Sequence, residues 1–171
     1  GEQHRRVLIG SCSCVMGSIF AEQIQIQPAM ASTSPGTEIQ GSINALQNVG
    51  IGHGIWVQGG VMAGETVRID DIAPPSQNIP GHIVIDGAVS SDEVHIGDGA
   101  LILGPVSASS RIVLGAGVTV RDHVMAPEVV VGDGCLIGGL IATNEVTVGN
   151  LCTVASSYLI LPSDRKMWHF S

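Results

Sequence analysis

The sequence predicts an all-β chain wound as a single-stranded parallel β-helix, with about 8–9 coils of roughly 17–18 residues and two loop insertions. Three observations predict it. The stretch EVHIGDGALILG (93–104) returns 35 positions later as EVVVGDGCLIGG (128–139) with eight of twelve residues identical, and self-similarity at a fixed spacing marks a repeat architecture. Sites where an apolar run meets a turn recur at Ile9, Ile26, Ile51, Ile69, Ile96, Leu114, Val131 and Val148, in steps of 17, 25, 18, 27, 18, 17 and 17 residues. Finally, the chain is 44% hydrophobic but only 3% aromatic and carries 23 glycines. Its core must therefore be Val, Ile, Leu and Ala, and no helical face of useful length can be drawn.

Taken in chain order, residues 1–6 read as an N-terminal tail, 7–161 as the β-helix domain and 162–171 as a C-terminal tail. The opening HRRVLIGSCSCVMGSIFA has the basic-then-apolar look of a signal peptide, but its register is that of a first coil. A second corner series follows the first: GSIFA (17–21), GSINA (41–45), GGVMA (59–63), GAVSS (87–91), GPVSA (104–108), DHVMA (122–126) and GGLIA (138–142). Each unit thus reads as three short strands and three turns. Within it apolar residues fall six apart, as at Ile96, Ile102, Ala108, Leu114, Val120 and Ala126, with Ala100, Val106, Ile112, Val118 and Val124 between them. Alternate side chains of a strand share a face, so these sets point inward. Glycine suits corners where φ is positive or a Cβ has no room. The two long steps hold QPAMASTSPG (27–36) and DDIAPPSQNIPGH (70–82 with Asp70 first), whose Pro, Ser and Gly content marks them as loops.

Charge and cysteine usage narrow the function. A net charge of −8 and only seven basic residues disfavour nucleic-acid binding, which needs a basic stripe. Cys12, Cys14, Cys135 and Cys152 form no CxxC pair and have no matching histidine spacing. They read as buried reduced thiols, which points to the cytoplasm. Membrane association remains an option that no residue of this stretch carries.

Both loops should leave the same edge of the prism, about two coils or roughly 10 Å apart, with His53 between them. His53, Trp56, Asp70, Asp71 and His82 are therefore the candidate site at the loop edge, where a histidine near carboxylates could act as a base or ligand, or where a protein partner could bind. Against this, His53 fills the turn position that Asp98, Asp133 and Asn150 fill elsewhere, where any polar residue would do. His53, His82, His95 and His123 contain no HxxxxH pair, so no metal is expected, and the GDG turns lack the GK[ST] of a phosphate loop. No paired-carboxylate, Ser-His-Asp or Cys-His arrangement can be defended from spacing, and no catalytic residue or cofactor is assigned.

Repeats of the form G-x-[IV]-x-A followed by x-V-x-[IV], best seen in GSINALQNVGIGHGIWVQGGVMAGETVRI and in residues 83–149, resemble those of the bactofilins, polymer-forming cytoskeletal proteins of prokaryotes, in a divergent or archaeal form. The resemblance implies a right-handed β-helix that polymerises end to end, without nucleotide, into filaments that scaffold the cell or recruit partners. A similar hexad occurs in left-handed hexapeptide-repeat acyltransferases, so the alternative is a trimeric transferase using the edge around His53; a third reading is a monomeric adaptor displaying its loops.

The ends favour the scaffold. An exposed strand edge templates further pairing unless something blocks it, and solenoids normally carry polar or helical caps. Here VLIG opens the first coil and SSYLILP forms the last strand. The expected polymer contacts are Val7, Leu8 and Ile9 at one end and Tyr158, Leu159, Ile160, Leu161, Trp168 and Phe170 at the other, where aromatic side chains can anchor an interface.

Overall fold

The computed structural model describes residues 5–29, 36–71 and 83–159, and over these the chain is all-β, with no helix. Its strands are β1 (Arg6–Ile9), β2 (Cys14–Val15), β3 (Ile19–Ile26), β4 (Thr37–Ile39), β5 (Ile43–Ile51), β6 (Ile55–Val57), β7 (Val61–Ala63), β8 (Thr66–Ile69), β9 (Ile83–Ile85), β10 (Val89–Ile96), β11 (Leu101–Ile102), β12 (Val106–Leu114), β13 (Thr119–Val131), β14 (Leu136–Val148), β15 (Thr153–Val154) and β16 (Ser157–Leu159). They wind as a parallel β-helix. Each coil lays one rung on each of three faces, and every rung pairs in parallel with its equivalent one coil away.

On the first face the register runs Ile9↔Ile26↔Ile51↔Ile69↔Ile96↔Leu114↔Val131↔Val148. The eight sites aligned in the sequence are thus one unbroken column of eight rungs. The second corner series also holds. Ile19, Ile43, Val61, Val89, Val106, Val124 and Leu140 stack in turn on the third face, which ends at Ser157. The second face carries β2, β4, β6, β9, β11, the first residues of β13 and β14, and β15.

Alternation along each strand explains the core. In β10 the residues Val89, Val94 and Ile96 point inward and are buried, while Asp92 and Glu93 are exposed. Ile26, Ile51, Ile55, Ile85, Ile102, Ile112, Val118 and Val120 are all essentially without solvent contact, and burying such a side chain contributes about 1.5–3 kcal/mol each. No aromatic is needed, because coils at strand spacing, about 4.8 Å apart, leave room only for flat layers of aliphatic side chains. The third face narrows further at Ala21, Ala45, Ala63, Ala108, Ala126 and Ala142. Ser91 replaces alanine in that column, and its hydroxyl lies 3.0 Å from the carbonyl of Glu65 and 2.6 Å from that of Glu93, so its burial leaves no polar atom wanting.

Two expectations are corrected. Three turns per coil were expected, yet one corner is made inside the strands, where the register slips between Ala21 and Gln23, Ser91 and Glu93, or Ala126 and Glu128. An extra residue bends a strand without ending it, and in the last coils a second slip, between Val120 and His123, does the same at the next corner, which is why β13 and β14 each run 13 residues around all three faces. The N-terminal tail is also shorter than expected, since Arg6 already pairs with Gln23.

The remaining glycine corner shows both uses of that residue. Gly99, Gly117 and Gly134 take φ near +70°. Two residues earlier, Gly132 has its Cβ direction filled by the backbone of Gly115 in the preceding coil, so there the constraint is the approach of one coil to the next rather than dihedral freedom.

Candidate assembly interface and loop edge

Inside the rod, inward side chains are covered from above and below; at its ends they are covered from one side. Val7 and Ile9 of β1 and Val15 of β2 are half-buried, whereas their column mates Ile24, Ile26 and Ile39 are at most 2% exposed. At the other end Val146 and Val154 are half-buried and Val148 is 45% exposed, against 2% for Val131 one coil inward. Among the described residues β1 pairs only with β3, β2 only with β4, and β15 and β16 only with β14. Among the described residues each end therefore carries backbone donors and acceptors with no strand partner on the outer side, beside incompletely covered aliphatics, the combination that invites strand addition.

Of the residues expected at these ends, Val7 and Ile9 face inward in β1, and Leu8 faces outward at 57% exposure. Tyr158 and Leu159 lie in β16, opposite Ile141 and Ala142. Ile160, Leu161, Trp168 and Phe170 lie outside the described residues. Sequence reasoning missed the larger part of the C-terminal end: Glu145–Val148 of β14 and the β15 rung. Their signal lies in the sequence, since Val148 is the last member of the first corner series and precedes the aromatic residues of the C-terminus.

The two insertions do leave one edge, with the His53 corner between them: the Gly52 N–H donates to Ile26 O at 3.0 Å and the Asp70 N–H to Ile51 O at 2.9 Å. The candidate residues on this edge have separate partners. His53 is half-buried with Nε2 3.2 Å from the Ala29 carbonyl, and the Ala29 N–H donates to the His53 carbonyl at 3.0 Å. The turn histidine thus holds the root of the first insertion against its coil. Trp56 projects outward, 45% exposed, and donates from Nε1 to Asp86 Oδ2 at 3.1 Å. Asp71 accepts the Asp98 N–H at 2.9 Å, and Asp70 lies 3.9 Å from Arg68. His82 is outside the described residues. A shallow groove of about 270 Å³ gathers Arg68, Asp70, Asp71 and His95, a set that spacing did not suggest because Arg68 and His95 are a coil apart and meet only through the register Arg68↔His95. Among the described residues no three His, Cys, Asp or Glu side chains converge in a way that could hold a metal.

The thiols divide into two pairs, which corrects the expectation that all four are buried. Cys135 is buried and Cys152 half-buried, but Cys12 and Cys14 are exposed. Cys14 points outward in β2, and Cys12 sits at φ 59° in the corner position of Gly99 and Gly134. Leu151 holds the same corner in the last coil, at φ 57° and 94% exposed. Burial raises the Cys135 thiol above its ordinary pKa. On the surface, the hydrogen bond from His123 lowers the pKa of Asp122, with Nδ1 and Oδ1 2.7 Å apart.

Among the described residues no helix is long and apolar enough to cross a membrane. No family model, no curated protein and no solved structure matches the chain.

Proposed function

We propose that this protein is a non-enzymatic scaffold that assembles with copies of itself through the terminal coils of its β-helix, without nucleotide, into filaments. The observation that carries the proposal is the decline in burial along single columns: Val131 is 2% exposed and Val148, the next rung, is 45% exposed. A further coil in register would cover Val146, Val148 and Val154 at one end, or Val7, Ile9 and Val15 at the other, as each interior coil covers its neighbour. It would also satisfy the open edge of the sheet. The bactofilin-like repeats support the same reading.

The loop edge then becomes a surface for recruited protein partners, with Trp56 and the His53 corner displayed on the side of the rod rather than at its ends. A cytoplasmic setting fits Cys135 and Cys152, which are seated as thiols donating to backbone carbonyls. The test is electron microscopy of the purified protein in negative stain, together with light scattering. Filaments one prism wide are expected. Uniform trimers would favour the transferase, and monomers at all concentrations would leave only the adaptor.

A further inference from the structure

The proposal of end-to-end assembly leaves open whether copies meet like end to like end or head to tail. The two ends of the rod answer with different and complementary features, each an interior rule of the coil that stops short at an end.

Charge on the first face is the first such rule. Its outward column runs Arg6, Gln23, Asn48, Thr66, Glu93, Arg111, Glu128, Glu145. Within it Arg111 lies between Glu93 and Glu128, opposite charges on directly paired residues. The column then ends with Glu128 and Glu145 facing each other at the C-terminal end and begins with Arg6 at the N-terminal end. Like charges directly opposed are unfavourable, and a cation on the next rung relieves them.

Glycine placement is the second. At the first corner the glycines of interior coils, such as Gly97 and Gly132, have no room for a Cβ because the preceding coil fills it; the same holds for Gly41 and Gly104 at the next corner. Gly10 and Gly17 occupy these two columns in the first coil. A Cβ on either would meet nothing within 4 Å, and neither has a positive φ. Nothing among the described residues calls for glycine at either place, whereas on top of a preceding coil these columns are mostly glycine, with Gln27, Asp70 and Asp122 as the exceptions.

The turn ladder is the third. Asp98 Oδ1 accepts the Ala116 N–H at 2.7 Å, and Asp133 Oδ1 accepts the Asn150 N–H at 2.6 Å. Asn150 turns its own amide NH₂ back to Asp133 at 3.3 Å, which leaves its side-chain carbonyl as the next acceptor in the series. The residue of the first coil in that column is Ser11.

We propose that copies of this chain stack head to tail, β1 of one copy adding as the next parallel rung on Glu145–Val148 of another in the register Arg6↔Glu145, Val7↔Val146, Leu8↔Thr147 and Ile9↔Val148. The inferred contact rests on the end-to-end reading and gives it a direction: the filament is polar, with two different ends. Arg6 sits on Glu145, the inward Val7 and Ile9 cover Val146 and Val148, Gly10 and Gly17 admit the last coil of the neighbour, and the Ser11 N–H meets Asn150. A two-fold contact between N-terminal coils would set two β1 strands antiparallel and bring Arg5 and Arg6 of both copies to one seam, with Glu22 of each copy, whose carboxylate already accepts the Arg5 N–H at 2.6 Å, as the nearby acid.

Directly paired residues of parallel strands lie about 5 Å apart, within the Cα separation a disulfide spans. Three variants are made with Cys12 and Cys14 replaced by serine: Arg6→Cys, Glu145→Cys, and both together. After mild oxidation of the assembled protein, denaturing electrophoresis should show a ladder of covalent multimers for the double variant and a single dimer band when the two single variants are mixed. Each single variant alone should remain monomeric. Dimers from either single variant alone would mean like ends meet, overturning the head-to-tail arrangement while self-assembly stands. Monomers throughout, with no large species by light scattering, would overturn both. Charge reversal provides an independent readout should the cysteine variants fold poorly. Arg6→Glu and Glu145→Arg should each shed filaments in sedimentation, and the double reversal should regain most of them; single variants that sediment like the parent would overturn the pairing.

Discussion

Cys135 and Cys152 occupy the same inward position of successive coils, and each donates its S–H to a glycine carbonyl of the coil before it, Cys135 to Gly115 at 3.1 Å and Cys152 to Gly132 at 3.0 Å. The two thiols have matching settings except that, among the described residues, Cys135 has a coil above it and Cys152 does not. Their difference therefore reports on what covers the C-terminal end.

Thiol reactivity follows from that contrast. With a neutral alkylating reagent followed by mass spectrometry, Cys12 and Cys14 should react first, Cys152 more slowly, and Cys135 only on unfolding, because access and thiolate fraction both limit the reaction. On assembly Cys152 should become as protected as Cys135. Unchanged labelling of Cys152 in filaments would place the contact elsewhere.

A pH effect follows from the same residue. Burial raises the Cys135 pKa in the fold above its ordinary value of 9.0, so the unfolded chain loses this proton first. The contribution to stability is complete below pH 9 and is lost as pH rises from there through the folded value. As pH is raised through 9.0 and above, urea midpoints should therefore fall less in Cys135→Ala than in the parent.

Core packing gives a larger effect. Ile112 is fully buried between Val94 and Val129 of the adjacent coils, so Ile112→Ala should cost about 2–5 kcal/mol in urea unfolding through lost transfer energy and an unfilled cavity. Met125→Ala, on the outer surface at 44% exposure, should cost under about 0.5 kcal/mol.

The glycines separate folding from assembly. Gly132→Ala places a methyl 2.6 Å from the backbone carbon of Gly115 and should lower the melting temperature severely. Gly10→Ala meets nothing and should melt like the parent, but sediment as small species. At the same corner as Gly134 but in the last coil, at the opposite end of the rod from Gly10, Leu151→Gly removes a side chain from an unfavourable left-handed conformation and should stabilise that coil by about 0.5–1 kcal/mol.

His53→Ala removes one hydrogen bond to the Ala29 carbonyl, worth about 1 kcal/mol. Filament formation should be unaffected. An acyl-transfer activity abolished by this substitution would instead support the trimeric enzyme.

The sequence by itself determined the coil and its register. Every one of the eight positions from Ile9 to Val148 sits where its spacing put it, because a period-two strand paired at fixed height allows no slip without turning aliphatics out to water. The places where insertions leave were equally legible, since loop residues break the period without disturbing the inward columns on either side. Spacing said less about side chains that depend on the neighbouring coil. It did not place Cys12 at a left-handed corner or Cys14 on the outward side of its strand, and it could not tell that Trp56 turns outward to Asp86. Nor could it show that Arg68 and His95, a coil apart, share a groove with Asp70 and Asp71. The tertiary structure alone decided these, and with them the contrast between the two ends, because burial, pairing and charge in a β-helix are set by what lies one coil above and below rather than by what lies next along the chain.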